Sequence, residues 1–201
     1  MTLPKKHNLT VERYYDASAE TIEHDANAMG WASTFTQTLR FDVMNHMVDM
    51  DGTDVLDVGC GDGALFHYFE SKQMAVSYNG IDVSANMVAR AKRRHAGIQV
   101  QQCDLFDYDQ THSVVVCSGS LNMSFDQDPY EFLAMAIDQL LRLAKEHLVF
   151  NLLTDRADVK DPLLNVYSPS KVLDVCLNKT PYVSMNHAYL PNDFTLHLVK
   201  T

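Results

Sequence analysis

Hydrophobic positions along the chain form short apolar runs and longer stripes at helical spacing, and from residue 53 the two alternate. Residues 53–58 are a short apolar run ending in a glycine cluster and predict a first strand. Residues 64–72, with Leu65, Phe66 and Phe69, predict the helix behind it, and residues 77–83 predict a second strand. Ser84 is suited to N-cap the next helix, where Met87, Val88 and Ala91 keep helical spacing until Gly97 stops it. Residues 98–103 alternate as a third strand, and 113–117 read as a buried fourth. Asp128-Pro129 opens a helix with proline in its first turn and a stripe of Leu133, Ala136, Ile137, Leu140, Leu141 and Ala144. Residues 147–153 predict a fifth strand, and Ser168 or Ser170 starts a helix through Cys176. The tail differs. Residues 182–190 and 194–200 are two strands separated only by Pro191-Asn192-Asp193, a turn that can join none but antiparallel neighbours. The alternation predicts an α/β sheet that is parallel until it closes in a hairpin. Ahead of it, residues 9–50 are predicted helical and aromatic-rich (Tyr14, Tyr15, Trp31, Phe35, Phe41). The expectation is one domain over 1–201, with 1–50 a helical cap over the mouth of the sheet and 51–201 the core.

Gly59-Cys60-Gly61-Asp62-Gly63-Ala64 fits G-x-G-x-x-A, a loose fingerprint for nucleotide binding. Asp82 closes the second strand 21 residues after Gly61, where a carboxylate accepts both hydroxyls of a ribose. Asp104 follows the third strand, near where an adenine would rest. These features point to an adenosine-containing ligand, and the charges beside the loop choose among such ligands. A pyrophosphate would lie against Asp57 and Asp62, and like charges about 4 Å apart repel by roughly 4 kcal/mol at an effective dielectric near 20. A ligand carrying a sulfonium and an ammonium reverses that sign.

The stretch Val55-Leu56-Asp57-Val58-Gly59-Cys60-Gly61-Asp62-Gly63 resembles motif I of the class I S-adenosylmethionine-dependent methyltransferases. Ile81-Asp82-Val83-Ser84-x-x-Met87 resembles their ribose-binding turn, and Gln102-Cys103-Asp104-Leu105 their adenine-side turn. The resemblance implies a Rossmann-like, doubly wound sheet of seven strands in the order 3-2-1-4-5-7-6, with strand 7 antiparallel. It implies S-adenosylmethionine as cofactor and S-adenosylhomocysteine as product. Gly59 and Gly61 then pass under the methionine part beside Asp57, Asp82 holds the ribose, Val83 and Met87 flank the adenine, and Asp104, with Leu105 next to it, takes the adenine amino group. More narrowly, the chain resembles a bacterial methyltransferase-like group sharing a tyrosine pair, a Trp31…Gln37…Arg40-Phe41 helix, a Ser118-Gly119-x-x-Asn122 turn, Asp161-Pro162 and Phe194-Thr195. That likeness brings no substrate with it.

Charge narrows the acceptor. The net charge is −10, with 16 Lys and Arg against 26 Asp and Glu, whereas nucleic acid and anionic membranes reward concentrated positive charge. The one basic run, Lys92-Arg93-Arg94-His95, falls at a helix end, where cations suit the dipole. A small-molecule partner is expected, with neither nucleic acid nor membrane, and the oligomeric state is left open. Four scattered cysteines, no apolar signal core and no span of roughly 18 apolar residues lead to the expectation of a cytoplasmic protein.

Methyl transfer from a sulfonium is an in-line displacement for which proximity and orientation can supply up to roughly 7–11 kcal/mol, so a general base is optional. The turn after strand four lacks the Asn/Asp-Pro-Pro-Tyr/Phe motif of enzymes that methylate exposed amino groups. Ser118, at the cofactor's edge, and Asn122 are suited to position a polar acceptor or, more simply, to cap the turn. Tyr14 and Tyr15 are suited to close over the sulfonium, since aromatic rings attract cations, or to plug the cap. Arg40 can pair with the cofactor's carboxylate or with a surface acid. His187 has the pKa of a base and shares a strand face with Tyr189, though a lone strand histidine is commonly structural. No histidine spacing resembles a metal site, and no metal is expected. Cyclisation, elimination or aminocarboxypropyl transfer from the same cofactor, and a non-catalytic cofactor-binding module, are the competing functions.

Overall fold

A computed structural model of the protein describes residues 34–124, 127–159 and 161–201. Seven strands form one sheet in the order β3-β2-β1-β4-β5-β7-β6. They are β1 Asp54–Val58, β2 Ser77–Asp82, β3 Val100–Gln102, β4 His112–Ser118, β5 Ala144–Leu153, β6 Val183–Leu190 and β7 Asp193–Val199. The pairs from β3 through β5 are parallel, and β7 runs antiparallel to both β5 and β6. The strand order and the reversed seventh strand match the sequence expectation. β3 is shorter than the alternation implied, and β5 reaches back to Ala144, taking in the last residue assigned to the preceding helical stripe.

Helices cover both faces, which is why the central strands read as near-continuous apolar runs. On one face, α1 (Thr34–Met47), α2 (Ala64–Ser71) and α3 (Ala85–Arg94) place Phe41, Met44, Leu65, Phe69, Val88 and Ala91 against Val55, Val114, Val116 and Val149. On the other, α4 (Pro129–Leu143) and α5 (Pro169–Leu177) pack Leu133, Ile137, Leu140, Val172 and Cys176 onto Leu56, Val115, Leu148, Phe150 and Leu196. Local signals set the helix starts. Ser84 Oγ accepts from the Met87 N–H, and the Asp128 carboxylate accepts from Tyr130 and Glu131, with Pro129 just inside.

α1 belongs to the segment expected as a cap. Its buried side chains lie on the sheet face beside α2, and it contacts β5, β6 and β7. Residues 1–33, including Tyr14, Tyr15 and Trp31, lie outside the described residues. No described helix is long and apolar enough to cross a membrane.

Candidate functional site

The strand order reverses between β1 and β4, and sheets of this type bind ligands beyond the C-terminal strand ends at such a switch point. The glycine loop follows β1 there. Gly59, Gly61 and Gly63 have φ of 74°, 54° and 85°, a left-handed backbone that side chains disfavour. The N–H groups of Gly59 and Cys60 donate to the Ile81 carbonyl at 2.8 and 3.0 Å, so the loop is pinned to the end of β2. Gly61 N–H donates to Asp82 Oδ2 at 2.8 Å, and Ser84 N–H to Oδ1 at 2.9 Å. Asp82 therefore ties the loop to the start of α3. A carboxylate at the end of the second strand is the group suited to accept ribose hydroxyls.

At Gly59 the close approach is made by the protein itself. A Cβ there would lie 1.8 Å from Ser120 Oγ, so this glycine admits the turn after β4 against the loop.

The two carboxylates on which the choice of cofactor rested are placed unequally. Asp62 is buried, and both Arg90, at 3.3 Å, and Arg94 of α3 reach its Oδ2. Its charge is balanced inside the fold, which corrects the expectation that it faces the ligand. Asp57 is buried at the end of β1 and accepts the Tyr78 hydroxyl at 2.8 Å. Desolvation outweighs that hydrogen bond and pushes its pKa up to about 7, with Asp82 adding repulsion. Near neutrality the loop thus carries one partly ionised carboxylate rather than two full charges.

On the adenine side, Asp104 accepts the Phe106 N–H at 2.6 Å, and the Val83 carbonyl accepts Gln102 Nε2 at 3.0 Å. The Leu105 carbonyl accepts Gln139 Nε2 at 2.9 Å, and the Met87 side chain is buried, at 1% exposure. On the acceptor side, Ser118 is the last residue of β4 and pairs with Asn151 of β5. Ser118 Oγ and Asn151 Oδ1 are buried polar atoms without a hydrogen-bond partner. With the buried, unpartnered Ser118 hydroxyl and the Asp82 and Asp104 carboxylates, the donor and acceptor set fits an adenosine ligand with a polar end.

Three other candidates are placed differently. The Asn122 amide donates to the Gly119 carbonyl at 3.2 Å and accepts from the Leu153 N–H at 2.9 Å, so it ties the turn to β5 in a structural role. Arg40 Nε donates to Asp193 Oδ2 at 2.7 Å, both residues buried, so the guanidinium serves the fold rather than a ligand carboxylate. His187 is exposed on edge strand β6 with its ring against Phe194. A register shift between Asn186 and Leu190 breaks the alternation there. As a result Tyr189 turns to Asp193 and Thr195, on the opposite side of β7 from Phe194, and does not share a face with His187. Tyr78, Arg90 and Asn151 escaped the sequence reading, and Arg94 entered it as part of a basic helix end and not as a partner of Asp62. Of those that escaped, only Asn151 carried a signal, as a polar residue inside the apolar run Leu148-Val149-Phe150-Asn151-Leu152.

Residues 55–145 match the family model described as a methyltransferase domain. A Mycobacterium tuberculosis protein whose name assigns it provisionally to the methyltransferases is 28% identical over 153 residues, covering 73% of this chain and 92% of its own length. Among solved structures, magnesium protoporphyrin IX methyltransferase from Synechocystis PCC 6803 with bound S-adenosylmethionine superposes with a TM-score of 0.72 at 16% identity, over all of both chains. The plantazolicin methyltransferase BpumL with S-adenosylhomocysteine gives 0.67 at 11%, over 98% of this chain and 99% of its own. At such identities the structures speak for the fold alone. The matched segment, the strand order and the glycine loop are those that the resemblance to class I S-adenosylmethionine-dependent methyltransferases implies.

Proposed function

We propose that the protein methylates a small-molecule acceptor by in-line transfer. The observation that carries this reading is the Gly61–Asp82 hydrogen bond, which holds a ribose-binding carboxylate against a left-handed glycine loop. When bound, S-adenosylmethionine supplies an electrophilic methyl group on a sulfonium. Asp82 receives the ribose hydroxyls, Val83, Leu105 and Asp104 receive the adenine, and Asp57 with Gly61 faces the cationic methionine end. Ser118 marks the acceptor side, where its buried, unpartnered hydroxyl orients a polar group. Two facts support a small acceptor. The net charge of −10 opposes a polyanion, and the solved neighbours are named for a porphyrin and for plantazolicin.

The test is incubation with methyl-labelled cofactor and a metabolite extract. S-adenosylhomocysteine and a labelled small molecule should form together. Label found only in protein or nucleic acid would sink the acceptor class, and cofactor loss without S-adenosylhomocysteine would sink methyl transfer.

A further inference from the structure

We propose that His67, Glu70 and His95 form a binding site for a divalent transition-metal ion of the zinc type, on the α2–α3 face behind the glycine loop. His67 and Glu70 are three residues apart on α2, so both side chains leave the same helix face. His95 follows the last residue of α3 and is buried. One ligand atom from each of the three lies within 4.8 Å of the others. Tetrahedral coordination at zinc's bond lengths places ligand atoms about 3.4 Å apart, so a small inward rotation of the exposed His67 and Glu70 side chains closes the set.

Three features favour an ion over a plain polar cluster. His95 Nδ1 stands 3.8 Å from Glu70 Oε2, too far for a hydrogen bond. His95 Nε2 is buried with no partner at all. The two imidazoles face each other with ring centroids 5.7 Å apart and no hydrogen bond joins them, a spacing that a shared cation bridges. Two imidazole nitrogens and one carboxylate oxygen suit zinc, cobalt or nickel, whereas magnesium and calcium seek oxygen ligands. With three protein ligands, water completes the coordination. The nearby Arg94 is engaged with Asp62, which lowers the repulsion it offers a cation. An ion there would fasten α2 to the end of α3 beside Gly63, against which the His95 ring already packs; a Cβ on Gly63 would lie 2.9 Å from its Cδ2. This inference is independent of the methyl-transfer reading.

The full-length protein, stripped with chelator and dialysed, is titrated with zinc against a chromophoric competitor, and with cobalt while visible absorption is recorded. One equivalent should bind, with a tetrahedral cobalt spectrum and a raised Tm. His67→Ala and Glu70→Gln, at exposed positions where folding is undisturbed, should each weaken binding at least tenfold, while His46→Ala on α1 leaves it intact. Absence of zinc uptake, or uptake undiminished in either variant, overturns the site.

Discussion

Asp57 shows how far a single residue departs from its sequence-level reading. Its charge was expected to face the cofactor at full strength, yet burial raises its pKa to about 7 from 3.8. The folded state therefore holds an extra proton between about pH 4 and 7. Its contribution to stability is full below pH 4 and is lost as pH rises through 7. Relative to Asp57→Asn, the wild type should lose about 1 kcal/mol of stability per unit between pH 5 and 7 and level off above, as read by urea denaturation. A cationic ligand favours the ionised form, so S-adenosylmethionine should bind more tightly at pH 8 than at pH 6, and calorimetry on Asp57→Asn should show that slope flattened. The carboxylate was legible in the sequence; Tyr78, which tempers its shift, came into view only with the fold, because β2 lies beside β1 in the register Asp57↔Gly80.

Among elements, α3 does more than cover the sheet. Its basic end was read as complementing the helix dipole, but Arg94, together with Arg90 one turn earlier, clasps Asp62 and so braces the glycine loop. Removing the buried carboxylate by Asp62→Ala should cost about 1–3 kcal/mol in denaturant unfolding and weaken cofactor binding. Arg94→Ala should cost less, because that side chain is half exposed and Arg90 remains. Elements were the most legible level: apolar runs, Ser84, the Asp128-Pro129 start and the Pro191-Asn192 turn placed nearly every helix and strand of the core. The bulge at residues 187–189 was not legible. Alternation predicts a face only while the register holds, and nothing local marks where it slips.

Across the whole molecule, α1 is joined to the closing hairpin by the buried Arg40–Asp193 pair, 153 residues apart in the chain. Asn151 donates to both Asp193 oxygens and Tyr189 to one, so the acid is the hub of a network under α1. Arg40→Met should destabilise by about 3–5 kcal/mol, because it leaves a buried carboxylate short of its cation. Arg40→Met combined with Asp193→Asn should recover part of that loss, measured by chemical denaturation. If the single variant is as stable as the wild type, the pair does not hold α1 to the sheet.

The sequence by itself determined the class of fold, the strand order implied by its resemblance, and the glycine loop with Asp82 beside it, because each is encoded within a short window: periodicity, glycine spacing, a cap, a turn too short to cross over. Only the tertiary structure decided which charges face a ligand and which are spent on the fold. Arg40 and Asn122 were absorbed into packing, Asp62 was neutralised by α3, the Ser118 hydroxyl and the Asn151 side-chain carbonyl were left unpartnered near the strand ends, and His95 was brought beside His67 and Glu70. Pairings between residues tens of positions apart depend on how helices cross the sheet, and no local pattern along the chain records that.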